Sequence, residues 1–196
     1  MKAPKVLVAI VALAIVGFAW NGYWSSAESV APEPQFPARP TELDSLDPFV
    51  GTWEVTCKAK IPGFTDQMIA TGKDKAEWRF ENMFLVNEFT YDLGEMGTMT
   101  GMNILGWDPR ARKYRSWSFS SLGETATGTM TYEEEVRLWH LEVEWRDAVS
   151  GEMAYGETRI NMIDENTIET QFKQWDNAAH QGQPSELVYL ARRLKS

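Results

Sequence analysis

Cysteine and histidine are nearly missing: there is one thiol, Cys57, and two imidazoles, His140 and His180. A single cysteine excludes an internal disulfide, and two distant histidines leave little from which to build a zinc centre. Basic side chains are also scarce, 19 against 28 acids, for a formal net charge of -9. An acidic surface repels phosphate backbones and anionic headgroups, so nucleic acid is not an expected partner. Convincing amphipathic helices are lacking too. Apolar residues recur with a period of two, and without helices between strands a parallel α/β sheet is excluded.

The first residues follow a different logic. Met1-Lys2-Ala3-Pro4-Lys5 precedes an apolar run from Val6 to Trp20, and Ser25-Ser26-Ala27 follows. A basic start, a short apolar core and small residues predict a secretory signal over 1–27, cleaved after Ala27. The alternative is an uncleaved anchor, because Val6–Trp24 would span about 28 Å as a helix. Either version places the domain in the periplasm or another extracytoplasmic space. Membrane contact is then expected only through this segment. Pro32, Pro34, Pro37 and Pro40 make 28–40 an extended linker. The remainder, 41–196, is long enough for one domain with one core.

Ten strand-length segments follow. They are Thr52–Lys60, Lys75–Glu81, Phe84–Tyr91, Thr98–Trp107, Lys113–Ser120, Thr125–Tyr132, Val136–Trp145, Met153–Ile163, Thr167–Trp175 and Glu186–Arg193. Hairpin-length connections between them predict an up-and-down antiparallel barrel of about 8–10 strands. Before the first strand, Thr41 is expected to cap a short turn that Pro48 stops, with Leu43, Leu46 and Phe49 covering one barrel end. Gly51 and Trp53 open the first strand and Arg192-Arg193 close the last. These become neighbours only if the barrel closes, with Arg192 the expected partner for the Trp53 indole.

Gly51-Thr52-Trp53 and Leu190-Ala191-Arg192 resemble the ends of calycin, or lipocalin-like, barrels. Phe84-Leu85-Val86-Asn87-Glu88-Phe89, Gly106-Trp107-Asp108-Pro109 and Tyr114–Gly123 further resemble a bacterial family, the domain of unknown function numbered 1579. The resemblance covers Leu46–Leu194 and implies a barrel without implying a reaction. Ser120 stands where that family often has an acid, so no role for that carboxylate transfers to this chain.

Candidate site residues follow from the faces of the strands. His140, Glu142 and Glu144 share one face of the seventh strand, opposite Trp139, Leu141, Val143 and Trp145. Burying the apolar face is worth several kcal/mol, so the charged face is expected to meet water and to hold no metal. Met96, Met99, Met102, Met130, Met153 and Met162 suit soft packing better than haem or copper ligation. No cofactor is therefore expected. Haem, which some lipocalin-like barrels bind, would depend on His140, and the same face argument opposes it. Cys57 shares parity with Trp53 and Val55 and is expected in the core.

Glu88 lies in a run that is apolar on both parities, so either Asn87 or Glu88 should face inward. An inward Glu88 near Tyr91 and Arg115 could anchor a ligand, act as an acid or base, or pair with an arginine. Trp107 and Trp117 would add aromatic contact area. The expected function is binding of a small hydrophobic molecule at Glu88, Tyr91, Trp107, Arg115 and Trp117. The alternatives are an isomerase or hydrolase using Glu88, and an envelope interaction module whose barrel is filled by its own side chains.

Overall fold

Period-two alternation gives strands with one dry face, and a sheet that curls on itself can bury that face without a second layer. The structure, a computed structural model, describes residues 38–63, 65–148, 150–176 and 182–195. The expected signal or anchor, the linker as far as Pro37, and His180 lie outside the described residues. Among the described residues no helix is long and apolar enough to cross a membrane.

Ten strands run as β1 (Gly51–Lys60), β2 (Met68–Arg79), β3 (Phe84–Asp92), β4 (Thr98–Asp108) and β5 (Lys113–Ser120), then β6 (Thr125–Glu133), β7 (Leu138–Arg146), β8 (Met153–Asp164), β9 (Thr167–Trp175) and β10 (Ser185–Arg193). Each pairs with its sequence neighbour, and β10 pairs antiparallel with β1 to close the barrel. The architecture is all-β, a closed antiparallel up-and-down barrel.

The strand boundaries differ most from the alternation at β2, which also ends at Arg79 before Phe80 and Glu81 turn left-handed, and at the start of β7. β2 starts at Met68, because Thr71-Gly72-Lys73-Asp74 pairs along β1 from Thr56 to Trp53. β7 starts at Leu138, since Glu134–Arg137 forms a turn in which the Arg137 amide donates to the Glu134 carbonyl at 3.3 Å. The turn at Asp108–Arg112 behaves as its composition suggests: Asp108 Oδ1 accepts from the Arg110 and Ala111 amides at 3.0 and 3.1 Å.

A 3-10 segment, Thr41–Phe49, covers one end. Its N-cap is Pro40 with no side-chain cap bond, so Thr41 is the first helical residue rather than the cap. Pro48 sits inside the last turn instead of preceding the stop. Leu43 and Leu46 are fully buried against Ala76, Leu85, Tyr114, Met130 and Trp139. Each leucine contributes about 1.5–3 kcal/mol by leaving water. Tyr114 donates to the Glu42 carbonyl at 2.7 Å and meets Ser45 Oγ at 2.8 Å, fastening the cap to β5.

Closure uses Arg193. Its guanidinium lies 4.1 Å from the Trp53 ring centroid, donates to the Pro48 carbonyl at 2.7 Å and the Glu165 carbonyl at 3.0 Å, and also bonds the Val50 carbonyl. The expected Arg192 instead pairs in register with Glu54 and is exposed on the outer face. Parity decides between them, because Arg193 is opposite Trp53 and shares its inward side. Gly51 makes the approach possible: its φ is +139°, and a Cβ there would stand 2.5 Å from the Arg193 guanidinium. A second stack, unforeseen in the sequence, places Arg39 4.4 Å from the Trp78 ring centroid, with Nε donating to the Asn82 carbonyl at 3.0 Å.

Candidate functional site

With one end plugged, the barrel retains an interior cavity of about 550 Å³. Its wall is two-sided. β6 to β10 supply mostly apolar groups, among them Leu141, Val143, Trp145, Ile160 and Phe172. β2 to β5 supply a polar stripe: Asp74, Asn87, Asn103, Ser116 and Ser118. The register aligns Asn87 with Asn103 and Asn103 with Ser118, so the stripe crosses adjacent strands at one height. The volume lies within the range of small-molecule pockets, roughly 300–1,000 Å³.

The stripe begins at a half-buried carboxyl. Tyr91 Oη donates to Asp74 Oδ1 at 2.7 Å, and Asn87 Nδ2 donates to Oδ2 at 3.4 Å. Burial raises the Asp74 pKa, and these two hydrogen bonds offset part of the rise. Tyr91 is pushed up in turn, first by its own burial and then by the Asp74 charge. Tyr189 is likewise raised by burial, with Cys57 beside it. The Cys57 thiol is raised by burial too, which suits the expected core residue and not a reactive thiolate.

The five expected ligand contacts are not brought together. Tyr91 lines the cavity. Trp107 faces inward near the plugged end, edge-on to Tyr114 with ring centroids 4.8 Å apart, and packs against the buried cluster there. Glu88 is exposed on the outer face, where its cross-strand partners are Lys75 and Met102. Arg115 is exposed and meets Asp108 at 3.4 Å. Trp117 is also outside, its ring 6.4 Å from that of Phe84. The apolar parity that suggested an inward Glu88 belongs to this external cluster: Val86 is paired with Ile104 and Ile104 with Trp117.

The inward residue of the Asn87/Glu88 pair is Asn87, and the acid of the polar stripe is Asp74. Extending the parity of Ala76 and Trp78 backwards through the strand would have found it. The expected face of β7 is the observed one: Leu141, Val143 and Trp145 line the cavity, while His140 pairs with Glu133 at 3.0 Å. Among the described residues no group of three or more His, Cys, Asp and Glu is placed to hold a metal ion.

The geometry can be set beside known proteins. An S-type phycobiliprotein lyase from Guillardia theta is similar at a TM-score of 0.56 and 13% identity, over 81% of this chain and 95% of that one. Rv2717c from M. tuberculosis is similar at a TM-score of 0.58 and 16% identity, over 81% of this chain and 100% of that one. At such identities the likeness extends to the fold alone. None of the curated proteins matches the chain. The sequence profile of a protein family of unknown function matches residues 40–190, and the chain therefore belongs to that family, DUF1579.

Proposed function

We propose that this barrel binds a small, largely apolar molecule in its interior. The observation that carries the reading is the cavity of about 550 Å³ between the plugged end and the opposite rim. Close-packed interiors leave few voids larger than a water molecule, so a space of this size is not explained by barrel closure alone. Its wall offers apolar area on one side and orienting polar groups on the other, the composition expected of a ligand pocket. A self-filled barrel would instead present no such volume.

The site is built from Asp74, Asn87 and Tyr91 as polar anchors, with Trp53, Trp145 and Phe172 as aromatic contact area. Acid–base chemistry in the same cavity would fall to Asp74 rather than the external Glu88. The basic and apolar segment at 1–27 supports an exported protein, released by cleavage or held by an anchor.

Native mass spectrometry of protein purified from its own envelope tests the reading. A retained small molecule, lost on denaturation, is the expected result. Repeated recovery of ligand-free protein that also binds no hydrophobic probe would overturn it.

A further inference from the structure

We infer that the ligand carries a positive charge when bound, and that Asp74 is its counter-ion inside the aromatic cavity. This inference rests on the binding function proposed above and adds the chemical class of the ligand.

The first argument is a missing partner. Among the described residues lining the cavity, Asp74 and Glu124 are acids and none is lysine, arginine or histidine. Among the described residues, Asp74 is hydrogen-bonded only to neutral donors, Tyr91 and Asn87. The cations nearest in sequence, Lys73 and Lys75, take the opposite parity on β2 and are exposed outside. There Lys75 pairs with Glu77 at 3.3 Å. Arg193 shares the inward parity but is spent at the plugged end, over Trp53 and on the carbonyls of Pro48, Val50 and Glu165. A carboxylate desolvated without a cation is unfavourable, and a ligand cation is what would offset that cost.

The second argument is the surroundings. Trp53 and Phe89 are the cross-strand neighbours of Asp74, one on each side. Aromatic rings lining the same cavity as a carboxylate, Phe89, Trp145 and Phe172 besides the Arg193-stacked Trp53, suit an ammonium or a heteroaromatic cation, through the ring quadrupole as well as the ion pair. Tyr91 and Asn87 each occupy one lone pair of a different carboxylate oxygen, so Asp74 is fixed in orientation and retains acceptor capacity. An amine arrives already protonated and pairs with the Asp74 carboxylate, or takes its proton from Asp74; in the second case the carboxyl O–H bond breaks, an N–H bond forms, and the same ammonium–carboxylate pair results. A fatty acid is disfavoured, because its carboxylate would face Asp74 with no guanidinium or ammonium to receive it.

Three probes sharing one ring system test the inference on the full chain: 2-naphthylmethylammonium, 2-naphthylmethanol and 2-naphthylacetate, each titrated against Trp emission. The ammonium is expected to bind at least about tenfold more tightly than the alcohol, and the carboxylate most weakly. Asp74→Asn should abolish the preference and keep alcohol binding. Glu88→Gln removes the same charge from the outer face and should leave the preference intact. If Asp74→Asn does not fold, salt decides on the parent protein: at about 0.5 M the preference should persist, because a buried pair is poorly screened. Equal or tighter carboxylate binding, a preference that survives Asp74→Asn, or one that vanishes with salt would overturn the charge assignment. Failure of all three probes to bind would instead reject the binding function itself.

Discussion

Tyr91 on β3 donates a hydrogen bond to Asp74 on β2 at 2.7 Å, across a strand pair and inside the barrel. The pair couples the fold to the site, because the groups that orient Asp74 also line the cavity. It also ties stability to pH. Burial holds the Asp74 pKa above its unfolded value, so the folded chain binds this proton more tightly than the unfolded one.

The sign of the pH effect follows from that difference. The contribution is fully present below the unfolded aspartate value, about 3.9, and is lost as pH rises through the folded value. Tyr91 from β3, Tyr189 from β10 and Cys57 from β1 are the other titratable groups in this neighbourhood, all raised and neutral across that window. Asp74→Asn has no charge to lose. Its melting temperature should fall less than that of the parent between about pH 4 and the raised folded value. Parallel melting curves across pH would refute the assignment.

Barrel closure gives a paired prediction for the two adjacent arginines. Arg193→Ala removes the stack on Trp53 and the bonds to Pro48, Val50 and Glu165, and should destabilise by about 2–4 kcal/mol. Arg192→Ala on the exposed face should change stability by under about 0.5 kcal/mol. Denaturant midpoints that rank the two the other way would place the wrong arginine on the indole.

Trp53 and Leu46 test the plugged end from its two sides. Trp53→Ala should cost about 3–5 kcal/mol, and Leu46→Ala about 2–5 kcal/mol. A loss under about 1 kcal/mol at Leu46, by urea unfolding, would show that Thr41–Phe49 does not cover a packed core.

Export has its own check. N-terminal sequencing of protein from the native host should find Glu28 as the first residue, or Met1 in the membrane fraction. Full-length chain in the soluble cytoplasm would contradict both versions of export.

Strand parity was legible wherever only one face is apolar. On β7 the alternation Trp139, Leu141, Val143, Trp145 against His140, Glu142, Glu144 assigns the inward side, and the structure places it there. The same reasoning fails on β3, because Phe84 and Val86 are covered from outside by neighbours on β4 and β5, so both faces look buried. Asp74 was hidden differently. Thr71-Gly72-Lys73-Asp74 has the composition of a turn, and only its pairing with β1 draws it into a strand. Closure could be anticipated from Gly51, Trp53 and the terminal arginines, but the choice between adjacent arginines depends on register, which sequence alone does not supply.

The measurement that bears most directly on the central claim fills the cavity from within. Ser118 faces the cavity from the β5 end of the polar stripe, and Ser118→Trp would occupy the space a ligand needs. The parent protein should bind a neutral hydrophobic fluorophore such as Nile red saturably at one site. Ser118→Trp, shown to be folded by its circular dichroism and melting temperature, should bind it at least about tenfold more weakly. Trp117→Ala, which alters only the outer aromatic cluster, should bind it as the parent does. Unchanged binding by Ser118→Trp, or loss of binding in Trp117→Ala, would put the probe outside the barrel and contradict the interior site.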